Sequence, residues 1–192
     1  MFVISAEGGA PRRVTPPEMD GYVPTWSRDG RSLYFCRGYG RDAEIWKIPV
    51  EGGAAVQVTR TGGFEAREST DGKWLYFSKP PSFLVGEKAK SGVWKMPVEG
   101  GAESQVLDRE TGRLWTIAGQ FLYFVDVKAK PHATLNRFDL TTGEIRELAQ
   151  LEKDPGLLSV WTGLSIAPAG DWAIYPQVDD QVSRIMLVEN FR

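Results

Sequence analysis

Residues 45–53 read IWKIPVEGG, and residues 93–101 repeat them as VWKMPVEGG. A shorter copy, AEGG, stands at 6–9. The paired glycines fall at 8–9, 52–53 and 100–101, in steps of 44 and 48 residues. A period of that size marks a repeat architecture, in which each unit is one supersecondary element that buries its apolar face against the next.

Outward from these copies, short runs rich in Tyr, Trp, Phe, Val and Ile alternate with glycine-bearing turns, and no helical period is sustained. Turn pairs recur at Asp29-Gly30, Gly52-Gly53, Asp71-Gly72, Gly100-Gly101 and Thr142-Gly143. Many short strands with such punctuation predict an all-β fold, and the period selects a β-propeller with four-stranded blades. In the first full repeat, strand A is expected over 22–27, B over 32–37, C over 44–49 and D over 55–59. A single propeller domain is expected over 1–192, with a partial blade at 1–15 and repeats at about 22–59, 64–108, 114–150 and 158–192. The last repeat is expected to end in a strand C at 185–188.

Trp46 and Trp94 hold one place in strand C, and Tyr34-Phe35, Tyr76-Phe77 and Tyr123-Phe124 hold one place in strand B. Aromatics recurring in register are read as blade-on-blade packing, each burying about 150–250 Å². With 23 basic and 25 acidic residues the net charge is −2, without the basic excess of a dedicated nucleic-acid binder. Cys36 is the single cysteine, so no internal disulfide forms, and its alternating setting LYFCR reads as core. No apolar run is long enough to span a bilayer, and MFVISAEGG lacks a basic n-region, so a cytoplasmic location is expected for the chain as written.

The stretch VPTWSRDGRSLYF at 23–35, followed by EIWKIPVEGG and VQVT, resembles the TolB-type WD40-like propeller repeat. Pro24, Trp26, Ser27, Asp29, Gly30, Trp46, Gly52, Gly53 and Thr59 carry the resemblance in the first repeat. Ser69, Asp71, Gly72, Trp94, Gly100 and Gly101 carry it in the second, which departs from the pattern where Glu68 replaces the strand-A tryptophan. The matched residues are turn and packing positions, so the resemblance implies a fold. The ending RIMLVENFR resembles that of bacterial multidomain sensory and transcriptional-regulator proteins, with a propeller outside the membrane. That likeness implies a sensory or interaction module and an extracytoplasmic location.

Ring closure is the open question at this level. The fragment Phe2 to Ser5 and Ala10 to Thr15 supplies strands C and D without A and B. The chain is therefore expected to begin inside a blade of a larger ring, and self-association is expected to cover the uncovered blade faces.

Binding is expected on the face formed by B–C and D–A loops, because the other face carries only short turns. The longest loop, 79–92, holds apolar Phe83, Leu84 and Val85 together with Lys88 and Lys90. The equivalent loop of the next repeat holds Lys128, Lys130 and His132. The four lysines are expected on one rim as a patch for an anion or acidic partner, partly neutralised by Asp108, Arg109 and Glu110 on a D–A loop. The partner itself, protein or small molecule, stays open. A lone histidine and the Asp179-Asp180 pair are poor metal sites, so no metal or cofactor is expected. No nucleophile elbow or phosphate loop occurs, so no catalytic residue is assigned. The readings carried forward are a non-catalytic scaffold, the propeller part of a prolyl-oligopeptidase-like peptidase, and a carbohydrate-active propeller.

Overall fold

The computed structural model describes residues 1–79, 90–153, 155, 163–167 and 170–177. The strands are β1 (Phe2–Val3), β2 (Arg12–Arg13), β3 (Tyr22–Trp26), β4 (Ser32–Arg37), β5 (Glu44–Pro49) and β6 (Val56–Gln57). They continue with β7 (Glu65–Glu68), β8 (Trp74–Lys79), β9 (Gly92–Pro97), β10 (Ser104–Leu107), β11 (Trp115–Ala118) and β12 (Phe121–Asp126). The last are β13 (Thr134–Asp139), β14 (Ile145–Gln150), β15 (Ser165–Ile166) and β16 (Ala173–Ile174).

Three antiparallel four-stranded sheets form in chain order: blade I (β3–β6), blade II (β7–β10) and blade III (β11–β14). A two-stranded ribbon stands at each end, β1–β2 and β15–β16, and these two remain separate sheets. Among the described residues the sheets therefore do not close into a ring. The expected B and C strands of blade I coincide with β4 and β5, whereas the expected D strand shortens to Val56–Gln57. Of the fourth repeat only β15 and β16 are described, and the expected strand at 185–188 lies outside the described residues.

The blades stack because strand alternation sends neighbouring aromatics in opposite directions. Phe35 packs rearward with Val14, Leu33 and Ile48, while Tyr34 packs forward with Ala66, Leu75, Phe77 and Met96 of blade II. Tyr76 packs forward with Trp115, Leu122 and Phe124 of blade III, and Tyr123 packs forward with Leu164 before β15. Each Tyr-Phe pair thus joins three consecutive sheets. The tryptophan register is also regular: Phe35 faces Trp46 and Phe77 faces Trp94, but Phe124 faces Asn136. Asn136 is satisfied locally, donating from Nδ2 to the carbonyl and hydroxyl oxygens of Thr134.

The Ser-x-Asp-Gly turns have a specific geometry. Ser27 Oγ donates to Asp29 Oδ1 at 2.7 Å, and the same carboxylate accepts from Arg31 N at 2.9 Å. Ser69 Oγ and Asp71 Oδ1 reproduce the contact at 2.6 Å, with Lys73 N as the backbone donor. Gly30 and Gly72 follow with φ of 69° and 72°, in the left-handed region that glycine enters at little cost. Trp26 differs from the packing expected of it: it is 55% exposed.

Candidate functional site

Antiparallel order places the loops after strands B and D at one end of every blade. Sheets approach one another through their first strands, β3 against β7 and β11 against β15, so the A strands line the inside of the arc. On the loop end, between blades II and III, lies a cleft of about 400 Å³. Ser91, Asp108, Arg109, Glu110, Asp126 and Lys128 line it.

The cleft is laced by ion pairs. Lys128 Nζ lies 2.7 Å from Glu110 Oε2, and Arg109 Nε lies 3.6 Å from Asp126 Oδ2. Asp126 also accepts from Lys128 N at 3.0 Å, which fixes the loop after β12. Three carboxylates face two cations there, so the groove around Lys128 is of mixed charge. Lys90 is exposed at its margin, next to Ser91, and Lys130 and His132 are exposed beyond Lys128. Phe83, Leu84, Val85 and Lys88 lie outside the described residues, as do Asp179 and Asp180. Among the described residues no group of three His, Cys, Asp or Glu side chains could hold a metal ion. Among them also, no helix is long and apolar enough to cross a membrane.

Deeper at the same interface, Glu65 opens β7 and is 1% exposed. Arg67 Nη2 donates to its Oε1 at 2.9 Å, and Arg113 Nε lies 3.7 Å from Oε2. Burial pushes the Glu65 carboxyl above its ordinary value, against the pull of the two guanidinium groups. Ser78 faces Glu65 across the β7–β8 pair, and the Arg67 guanidinium sits 6.0 Å from the Trp115 ring. This charged pin between blades II and III is not signalled by the repeat, because Glu65, Arg67 and Arg113 fall outside the motif positions.

The turn end is also less plain than its short loops suggest. A cleft of about 480 Å³ there is lined by Arg28, Asp29, Lys47, Glu68, Val98 and Glu99, among others. Glu68 accepts from Tyr34 Oη at 2.7 Å and from Arg28 N at 2.8 Å, joining blades I and II. The residue that breaks the repeat pattern is thus an interblade acceptor. Cys36 is buried, and desolvation, with Glu44 nearby, pushes its thiol up to about 12, so it is a core residue in the thiol form.

No family model matches the chain. The described blades superpose on TolB from Acinetobacter baumannii with a TM-score of 0.63 and 18% identity, over 84% of this chain and 38% of that one. The fold is that of a TolB-type β-propeller. A protein assigned as TolB from Agrobacterium tumefaciens matches with a TM-score of 0.60 and 21% identity, over 78% of this chain and 56% of that one. The propeller domain of the trilobed protease from Pyrococcus furiosus, described as having an open velcro topology, matches with a TM-score of 0.50 and 20% identity, over 69% of this chain and 43% of that one. By sequence, an uncharacterized protein of Agrobacterium fabrum is 28% identical over 80 residues, 41% of this chain and 27% of that protein. The chain therefore spans well under two thirds of the length of each of these proteins.

Proposed function

We propose that the chain is a non-catalytic propeller scaffold whose loop end takes a protein or small-molecule partner, as the sensory part of a bacterial multidomain regulator. The observation that supports this reading is the mixed-charge cleft between blades II and III. Its side chains are held in ion pairs and backbone hydrogen bonds, an arrangement suited to recognising a polar ligand. The TolB likeness supports a scaffold as the general role.

A peptide-display selection on the immobilised protein tests it. Peptides that bind the loop end lose binding to the double variant Arg109→Glu, Lys128→Glu and keep binding to Lys47→Glu, which alters the opposite end. Equal binding to both variants contradicts the assignment of the loop end. The peptidase reading rests on the match to the trilobed protease propeller, and the reading frame around the chain separates it from the first. An α/β-hydrolase region downstream favours a peptidase. A winged helix or kinase with a membrane span upstream favours a regulator.

A further inference from the structure

We infer that the seam between blades II and III holds a buried structural water, bound by Glu65, Arg67, Ser78 and Trp115. The inference goes beyond the proposed scaffold role and does not depend on a partner binding at the loop end.

Strand alternation puts Glu65 and Arg67 on one face of β7. Across the β7–β8 pair Ser78 faces Glu65 and Tyr76 faces Arg67, so all four share that face. Tyr76 packs with Trp115, which identifies the face as the one turned to blade III. The Arg67 guanidinium comes within 6.0 Å of the Trp115 ring. Side chains from β7, β8 and β11 thus meet at one stretch of the seam.

Four polar atoms of this stretch are buried and make no hydrogen bond among the described residues: Glu65 Oε2, Arg67 Nε, Ser78 Oγ and Trp115 Nε1. Glu65, Ser78 and Trp115 are 1%, 2% and 0% exposed, so bulk solvent does not serve them. Another such atom, Trp94 Nε1, belongs to the seam between blades I and II. Folded proteins leave few buried polar atoms unpaired, and a cluster of them points to a bound water or ion. The ion pairs of the pin do not satisfy these atoms. Arg67 Nη2 is spent on Glu65 Oε1 at 2.9 Å, and Arg113 Nε stands 3.7 Å from Oε2, longer than a hydrogen bond. A polar separation of that length is one that a water can bridge.

The chemistry of the four atoms selects the ligand. Arg67 Nε and Trp115 Nε1 only donate, the Glu65 carboxylate oxygen accepts, and Ser78 Oγ does either. An anion would meet the Glu65 carboxylate, and a cation would meet the guanidinium groups of Arg67 and Arg113. Water carries no charge and has two protons and two lone pairs. One molecule accepts from the two N–H groups and donates to the two oxygens, within the range of bonds usual for a buried water. It ties strands A and B of blade II to strand A of blade III.

Water-to-protein cross-relaxation NMR on the full chain tests this at the indole N–H of Trp115, whose signal the Trp115→Phe variant identifies. The wild type is expected to show a cross-peak to water with the sign of a long-lived contact. Ser78→Ala keeps the space and three of the four partners, and the cross-peak is expected to remain. Ser78→Val fills the space, and the cross-peak is expected to vanish together with about one long-lived water per chain in solvent deuteron relaxation dispersion. If Ser78→Val does not fold, the wild type and Ser78→Ala decide between them. A wild type without the cross-peak overturns the inference. Its loss in Ser78→Ala does so too, because the signal would then come from the hydroxyl proton, and so does its survival in folded Ser78→Val.

Discussion

Tyr34 Oη donates to Glu68 Oε1 across the seam between blades I and II at 2.7 Å, and Glu68 Oε2 takes Arg28 N at 2.8 Å. One carboxylate therefore satisfies a nearly buried hydroxyl and a turn amide of the neighbouring blade. Glu68→Ala leaves both donors without this acceptor and is expected to lower stability by about 1–3 kcal/mol. Glu68→Gln, which keeps an acceptor oxygen, is expected to lose less. The urea midpoint of each variant checks the order.

The same contact gives an alkaline signature. Burial, and then the hydrogen bond to Glu68, raise the Tyr34 pKa above its ordinary 10.0. Below the unfolded value both states keep the proton and the contribution is fully present. As pH rises above about 10 the unfolded chain releases a proton that the folded chain retains, so stability falls. Tyr34→Phe is expected to flatten the decline in urea midpoint between about pH 9 and 11. Part of the slope should remain, because burial raises Tyr76 in the same direction.

The turn carboxylates give an acid signature of opposite sign. The Ser27 hydroxyl and the Arg31 amide hold Asp29 below its ordinary value, and the Ser69 hydroxyl and the Lys73 amide do the same for Asp71. Their contribution is present above the unfolded value of 3.8 and is lost as pH falls through the lower folded value. The double variant Asp29→Asn, Asp71→Asn is expected to show a shallower fall in denaturant midpoint below about pH 4 than the wild type.

Glu65 is the most consequential charge in the described core. Its removal leaves Arg67 and Arg113 partly buried without their shared counter-charge, and Glu65→Ala is expected to cost about 3–5 kcal/mol. Glu65→Gln keeps an acceptor for Arg67 and is expected to cost less. Thermal unfolding of the two variants side by side measures the difference.

Gly92 opens β9 with φ of 110°, and a side chain there would collide with the Leu107 carbonyl. Gly30, with φ of 69°, has nothing within 4 Å. Gly92→Ala is therefore expected to destabilise more than Gly30→Ala, which bears only the left-handed strain of about 1–2 kcal/mol. Chemical denaturation of the pair decides it, and equal losses would contradict the close approach.

The blades were legible because turn glycines and alternating aromatics are local signals. Asp29-Gly30 and the Tyr34-Phe35 pair place strand β4 and orient both of its faces. The seams were legible only in part. Glu68 could be seen as a departure from the repeat, but its role needs Tyr34 and Arg28 of another blade in position. Glu65 and Arg113 lie far apart in sequence and meet only when blades II and III stack. Lys128 reads in sequence as one of four like charges, and its pairing with Glu110 depends on the fold of two loops from successive blades. Trp26 matches the repeat pattern and is nevertheless exposed.

Titration of a display-selected peptide tests the loop-end assignment most directly. Arg109→Glu combined with Lys128→Glu is expected to abolish binding, while Lys47→Glu at the turn end leaves it unchanged. Binding that survives the loop-end double variant would contradict the assignment.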